Sequence, residues 1–172
     1  MKRKSVLVWL GLVVLVALLL VPGSAAAVAT RVGFSGYEVP MAAVAEGEWT
    51  FLPSGNVHVR GMATEYLEVA TDPRMSGLNT SVMNANWGPD FAGPMWGTNE
   101  SVLADSAECP GGGIWQGTWT GMMNVDGTYT YSAVGKGTSG CVEGLRFSLI
   151  AFNPGGEALT TYTGEILDPH GE

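Results

Sequence analysis

Positive charge is scarce in this chain. Eight Lys and Arg stand against sixteen Asp and Glu, for a net charge of −8, and three of the eight (Lys2, Arg3 and Lys4) lie at the very start. So acidic a chain lacks the basic footprint that neutralises phosphates, which argues against nucleic acid as a partner. Histidine is scarcer still. His58 and His170 stand far apart, and two such residues make neither a metal site nor a Ser-His-Asp constellation. Gly111-Gly112-Gly113 lacks the Lys-Ser/Thr that completes a phosphate-cradling loop. The sequence therefore predicts no metal and no cofactor. After residue 27 a 3.6-residue apolar period is also missing, and with it the case for a helical domain.

Long apolar runs are equally rare, with one exception. Val6 to Val21 is uninterrupted, follows the basic Lys2-Arg3-Lys4, and ends at Pro22-Gly23 before the small residues Ala25-Ala26-Ala27. A basic start, an apolar middle and an A-x-A site are the three parts of a secretory signal peptide, predicted here as a helix over residues 1–27. The competing reading is an uncleaved membrane anchor, against which the run falls short of the ~20 residues a spanning helix needs. No Cys lies near the cleavage site to accept a lipid. Cleavage near Val28 leaves 145 of the 172 residues and moves the net charge from −8 to −11. The predicted location is secreted or periplasmic, with membrane contact only through an uncleaved signal.

Two cysteines, Cys109 and Cys141, remain. In an exported chain they are expected to form a disulfide, which on the chain-entropy view stabilises by roughly 3–4 kcal/mol. A thiol nucleophile wants a nearby base, and a metal wants more ligands than these two.

What the chain does have is Val, Thr, Tyr, Phe and Trp in short runs, punctuated by Gly, Pro, Asn and Asp. Strands are predicted near 30–38, 46–52, 56–70, 78–87, 95–104, 114–123, 128–136, 142–152 and 158–167. Short links favour an up-and-down meander, and about eight such strands can close into a single all-β antiparallel barrel spanning 28–172, with 167–172 as a loose tail. The sharpest local signal is Asn124-Val125-Asp126-Gly127-Thr128, which fits a type I turn with a G1 bulge. That turn pairs Asn124 with Thr128, so Trp119 faces Ala133, Gly121 faces Tyr131, Met123 faces Tyr129 and Trp115 faces Gly137. Large residues then oppose small ones on one face, as a barrel interior requires. The other face pairs Thr120 with Ser132 and Gln116 with Lys136. Cys109 falls one same-face step from Cys141, an offset the glycines at 111–113 can absorb.

Trp115, Trp119, Met123, Tyr129 and Tyr131 are accordingly the candidate cavity residues, either as core fillers or as the walls of a site for a small apolar ligand. Two acids are candidate catalytic groups. Glu65 shares a face with Val57, Val59, Gly61, Ala63, Leu67 and Val69. Inside an apolar barrel its pKa would be raised by desolvation; if the strand is bulged, Glu65 lies on the rim in water. Glu100 shares a face with Trp96, Thr98 and Val102 and raises the same question. Asn84 and Asn86 read as outward, because Met83, Ala85 and Trp87 are the more apolar set.

Gly117-Thr118-Trp119-Thr120-Gly121, the Asp126-Gly127 turn, and Gly135-Lys136-Gly137 through Gly144-Leu145-Arg146-Phe147 together resemble the allene oxide cyclase-like barrels. That family holds exported bacterial proteins of unknown function and, in fold, the plant cyclases and dirigent proteins. The resemblance covers roughly residues 95–167 and implies an eight-stranded barrel with an apolar cavity. In the plant cyclases a buried Glu and a polar-bound water assist cyclisation of a fatty-acid epoxide. Glu65 matches that Glu only by position.

The function expected from the sequence is a non-catalytic ligand-binding or interaction module. The alternatives are a cyclase or isomerase of a lipid-like substrate, using Glu65 or Glu100, and a structural surface protein or oligomer subunit using Ile150 and Phe152. The oligomeric state is left open.

Overall fold

The computed structural model describes residues 28–156, 158–169 and 171. The predicted signal helix over 1–27, and His170 in the predicted tail, lie outside the described residues. Nine strands follow one another: β1 (Thr30–Ala45), β2 (Glu48–Phe51), β3 (Val57–Ala70), β4 (Gly77–Trp87), β5 (Gly93–Leu103), β6 (Gly113–Met123), β7 (Tyr129–Gly140), β8 (Arg146–Asn153) and β9 (Thr160–Asp168). From β2 to β9 each strand pairs antiparallel with the next, and β1 pairs with both β9 and β3. The meander therefore closes into an eight-stranded barrel, with β2 as a short extra strand lying along Val57–Arg60 of β3. Closure leaves few open edges to recruit another chain. Among the described residues no helix is long and apolar enough to cross a membrane.

The hairpin from β6 to β7 has the register the turn chemistry dictates. Asn124 N–H donates to Thr128 O (2.9 Å), Gly127 N–H donates to Asn124 O (3.0 Å), and Gly127 takes the left-handed φ of 81° that a G1 bulge demands. Trp119 pairs with Ala133, Gly121 with Tyr131, Met123 with Tyr129 and Trp115 with Gly137. A register shift between Ile114 and Trp115 supplies the offset the cysteines needed. Cys109 and Cys141 form a disulfide with Cα atoms 5.1 Å apart, tying the loop before β6 to the end of β7.

Two packed apolar clusters lie inside the barrel. At the disulfide end, Phe34, Trp115, Val142, Phe147, Tyr162 and Ile166 are buried. Here small residues make room for rings: a methyl group on Gly164 would sit 2.7 Å from Phe34 Cζ, and one on Gly36 would sit 2.6 Å from Tyr162 Cζ. Trp115 meets Phe147 edge-on at 5.3 Å, and its indole N–H donates to Arg74 O (2.7 Å). At the opposite end Val57, Val59, Ala85, Trp87 and Met95 form a smaller cluster. Ile150 and Phe152 are exposed on the outer wall.

Two expectations are corrected at the level of strands. The tail does not begin at 167, because Leu167 and Asp168 are still paired with Arg31 and Thr30. More consequentially, the faces of β3 are not continuous. Val59 pairs with Ala85 but Met62 pairs with Met83, so Arg60 and Gly61 together oppose one residue of β4. Such a bulge inserts one residue and reverses every side chain beyond it. Gly61 adopts the left-handed φ of 68°. Its N–H is taken by Asn84 Oδ1 (3.2 Å), while the Arg60 guanidinium donates to Val59 O (2.6 Å), Ala85 O (2.7 Å) and Asn86 Oδ1 (2.7 Å). Asn84 and Asn86 thus lie on the outside, as read, and serve there to hold the bulge.

Candidate functional site

Because of that bulge, Met62, Thr64, Tyr66 and Glu68 point into the barrel, and Glu65 does not. The inward residues line a cavity of about 240 Å³. From β4 it receives Asn79, Ser81, Met83 and Trp87, and from β5 Met95 and Asn99. β6 contributes Trp119 and Met123; β7 contributes Tyr129, Tyr131 and Ala133; β1 adds Glu38 and β8 adds Leu149. Alternation along each strand is the local cause. On β4, for example, the same face that carries Met83, Ala85 and Trp87 continues down to Ser81 and Asn79.

The walls are largely thioether and aromatic surface, but one region is acidic. Glu38 and Glu68 are paired across β1 and β3, and both are buried. Glu68 accepts hydrogen bonds from Asn79 Nδ2 (2.9 Å) and from Ser101 Oγ (3.2 Å), and Glu38 accepts one from the Tyr131 hydroxyl. Removal from water opposes ionisation. Burial pushes the Glu38 carboxyl up to about 7, with the Tyr131 hydrogen bond pulling the other way. Burial, followed by the nearby charge of Glu38, pushes Glu68 up to about 8. Tyr66 and Tyr131, beside the same carboxyls, are held in the neutral phenol form, Tyr66 with its pKa raised to about 12 and Tyr131 well above its ordinary value, in both cases mainly by burial. The pair is thus a set of proton carriers in an apolar enclosure, able to bind a polar head or to give and take a proton.

Several buried polar atoms around this space have no protein partner. Asn79 Oδ1, Asn99 Oδ1, Trp87 Nε1 and Trp119 Nε1 are all on residues that line the cavity. Native interiors rarely leave such atoms bare, so groups of this kind mark positions for water or a ligand.

Of the residues singled out from sequence, Trp119, Met123, Tyr129 and Tyr131 face the cavity. Trp115 does not; it is packed in the disulfide-end core against Phe147. Glu65 lies beyond the bulge on the outer side, half-buried and opposite Thr80. Glu100 is exposed and accepts a hydrogen bond from Gln116 Nε2 (3.0 Å). The acids in the cavity, Glu38 and Glu68, were not singled out. Glu38 was within reach of period-two reasoning, since Phe34, Gly36 and Glu38 share a face. Glu68 was hidden behind the bulge. Asn79, which begins an Asn-Thr-Ser glycosylation pattern, is buried and turned inward.

No protein-family model, curated protein or solved structure matches this chain.

Proposed function

We propose that this chain is an exported barrel that holds a small, largely apolar ligand in its cavity without turning it over. The observation that carries this reading is the cavity itself: about 240 Å³ of space with thioether and aromatic walls and buried polar atoms left unpartnered. Its volume is below the ~300–1,000 Å³ usual for drug-sized ligands, which points to a compact guest. Export is supported by the three-part N-terminus and agrees with the disulfide, a bond that persists in oxidising compartments. The test is native mass spectrometry of protein purified from its own host. A co-purifying small-molecule mass, released on unfolding, is expected; a protein that stays empty and gains no stability from any member of a small apolar library overturns the reading.

A second reading has its own observation. The Glu38–Glu68 pair places an acid and a base side by side in a water-poor site, the arrangement a cyclase or isomerase of a lipid-like substrate needs. The resemblance to allene oxide cyclase-like barrels points the same way, with Glu38 and Glu68 in place of Glu65 and Glu100. Turnover of an unsaturated epoxide that disappears in Glu68→Gln would favour it; unchanged turnover in that variant would remove it.

A further inference from the structure

The cavity carries acids but no base. Glu38 and Glu68 are acceptors when ionised, Asn79 Oδ1 and Asn99 Oδ1 are acceptors with no donor, and the unpartnered donors, Trp87 Nε1 and Trp119 Nε1, are neutral indole N–H groups. The donors that reach the carboxyls (the Tyr131 hydroxyl, Asn79 Nδ2 and Ser101 Oγ) are neutral. No Lys, Arg or His among the described residues lines the space. Every Lys and Arg of the described barrel is engaged or placed elsewhere. Arg31 pairs with Glu165 and Arg74 with Asp72; Arg60 clamps the bulge; Lys136 and Arg146 are exposed and pair across the outer face of β7 and β8. Two carboxyls have thus been buried side by side with no counter-charge from the protein, an arrangement that is costly unless a cation or protons complete it.

The walls suit the same guest. Tyr66, Trp119 and Tyr129 bring aromatic rings to the cavity, and Met83 and Met95 bring polarisable sulfur. Aromatic faces attract cations, most strongly where water is excluded. An anionic head such as a fatty-acid carboxylate would meet two acids. A metal ion would lack ligands, since no group of three or more His, Cys, Asp or Glu is placed to hold one among the described residues.

The geometry points to a small lipophilic ammonium as the ligand: a compact hydrocarbon or aromatic body against Tyr66, Trp119 and Met83, with its N–H donors directed to the Glu38–Glu68 pair and to a free amide oxygen of Asn79 or Asn99. The inference deepens the ligand-binding reading above and rests on it. Ammonium binding needs at least one ionised carboxyl, so it releases a proton and strengthens as pH rises from 6 to 8, the range in which Glu38 and Glu68 ionise, at about 7 and about 8. The other titratable groups near the pair are Tyr66 on β3, Tyr129 and Tyr131 on β7 and Tyr162 on β9, all with raised pKa values and therefore neutral throughout.

The experiment compares benzylammonium with benzyl alcohol, which share size and shape and differ in charge and donor count, on the intact disulfide-bonded protein. Binding is read from tryptophan fluorescence and calorimetry at pH 6 and pH 8. Benzylammonium is expected to bind at least tenfold more tightly than the alcohol at pH 8, with the gap narrowing at pH 6 and vanishing in Glu68→Gln. If that variant does not fold, the two-probe comparison and its pH dependence on the unaltered protein still decide the matter. Equal or tighter binding of the alcohol overturns the ammonium assignment and leaves the apolar cavity standing. Failure of both probes to bind at millimolar concentration overturns the ammonium assignment, while the ligand-binding reading is decided separately by the co-purifying mass and the apolar library.

Discussion

Glu38 on β1 and Glu68 on β3 stand directly opposite each other across an antiparallel pair, both turned into the barrel and both buried. Like charges directly opposite on a sheet repel, so the pair survives in the folded protein by holding protons or by meeting a cation. Its position records the stagger of the barrel. Glu38 also pairs with Thr160 at the start of β9, whereas Glu68 lies near the end of β3. Closure of the sheet, which lays β1 beside β3, is what sets the two acids together.

This relationship sets the pH dependence of stability. Glu38 and Glu68 titrate near 7 and 8 in the folded protein, against an ordinary value of 4.5. Between those limits the folded state binds more protons than the unfolded one, so unfolding free energy falls as pH rises. The contribution is fully present below about pH 4.5 and is lost as pH passes through 7 and 8. Asp72, held low chiefly by its hydrogen bond from Arg74, acts in the opposite sense, below that window. Thermal midpoints of the ligand-free protein should therefore fall from pH 5 to pH 9, and Glu68→Gln should flatten the slope. A midpoint that climbs over the same range would contradict the assignment.

The bulge on β3 makes a separate claim. Gly61 has open space around the position of a Cβ, yet its φ of 68° is one that L-residues adopt with strain. Gly61→Ala should therefore destabilise by roughly 1–2 kcal/mol with no steric clash. Urea unfolding measures this, and a neutral or stabilising result would mean that the bulge is not held in that conformation.

Trp115 and Trp119 should separate in their behaviour, although they lie on the same face of β6. Trp115 is 1% exposed, and its N–H satisfies Arg74 O, so Trp115→Ala should destabilise by about 3–5 kcal/mol. Trp119 has cavity on one side and an indole N–H without a partner. Trp119→Phe should cost less than about 1.5 kcal/mol while weakening whatever the cavity binds. Comparable losses for the two variants would argue against an open space beside Trp119.

The disulfide is the last test. It spans 32 residues of sequence and ties the loop before β6 to the end of β7. Replacing Cys109 and Cys141 together with Ser should lower unfolding free energy by roughly 3–4 kcal/mol, chiefly by freeing the unfolded chain. Chemical denaturation of the double variant reads this directly.

What the sequence determined by itself is the part of the molecule governed by local chemistry. Alternating β-branched and aromatic runs between Gly and Pro clusters required an antiparallel all-β domain. The Asn124–Thr128 turn dictated, residue by residue, which side chains of β6 and β7 share a face, and so brought Trp119, Met123, Tyr129 and Tyr131 to one wall. The tertiary structure alone decided which acids enter the barrel. One inserted residue at Arg60–Gly61 turned Glu65 out and Glu68 in, because side chains along a strand alternate with a period of two. Closure of β1 onto β3 then set Glu38, thirty positions earlier in the chain, against Glu68. Trp115 and Trp119 show the same division on one strand. Periodicity gives them the same face, but whether that face meets packed side chains or open space depends on the level at which Phe147 and the other strands deliver their side chains.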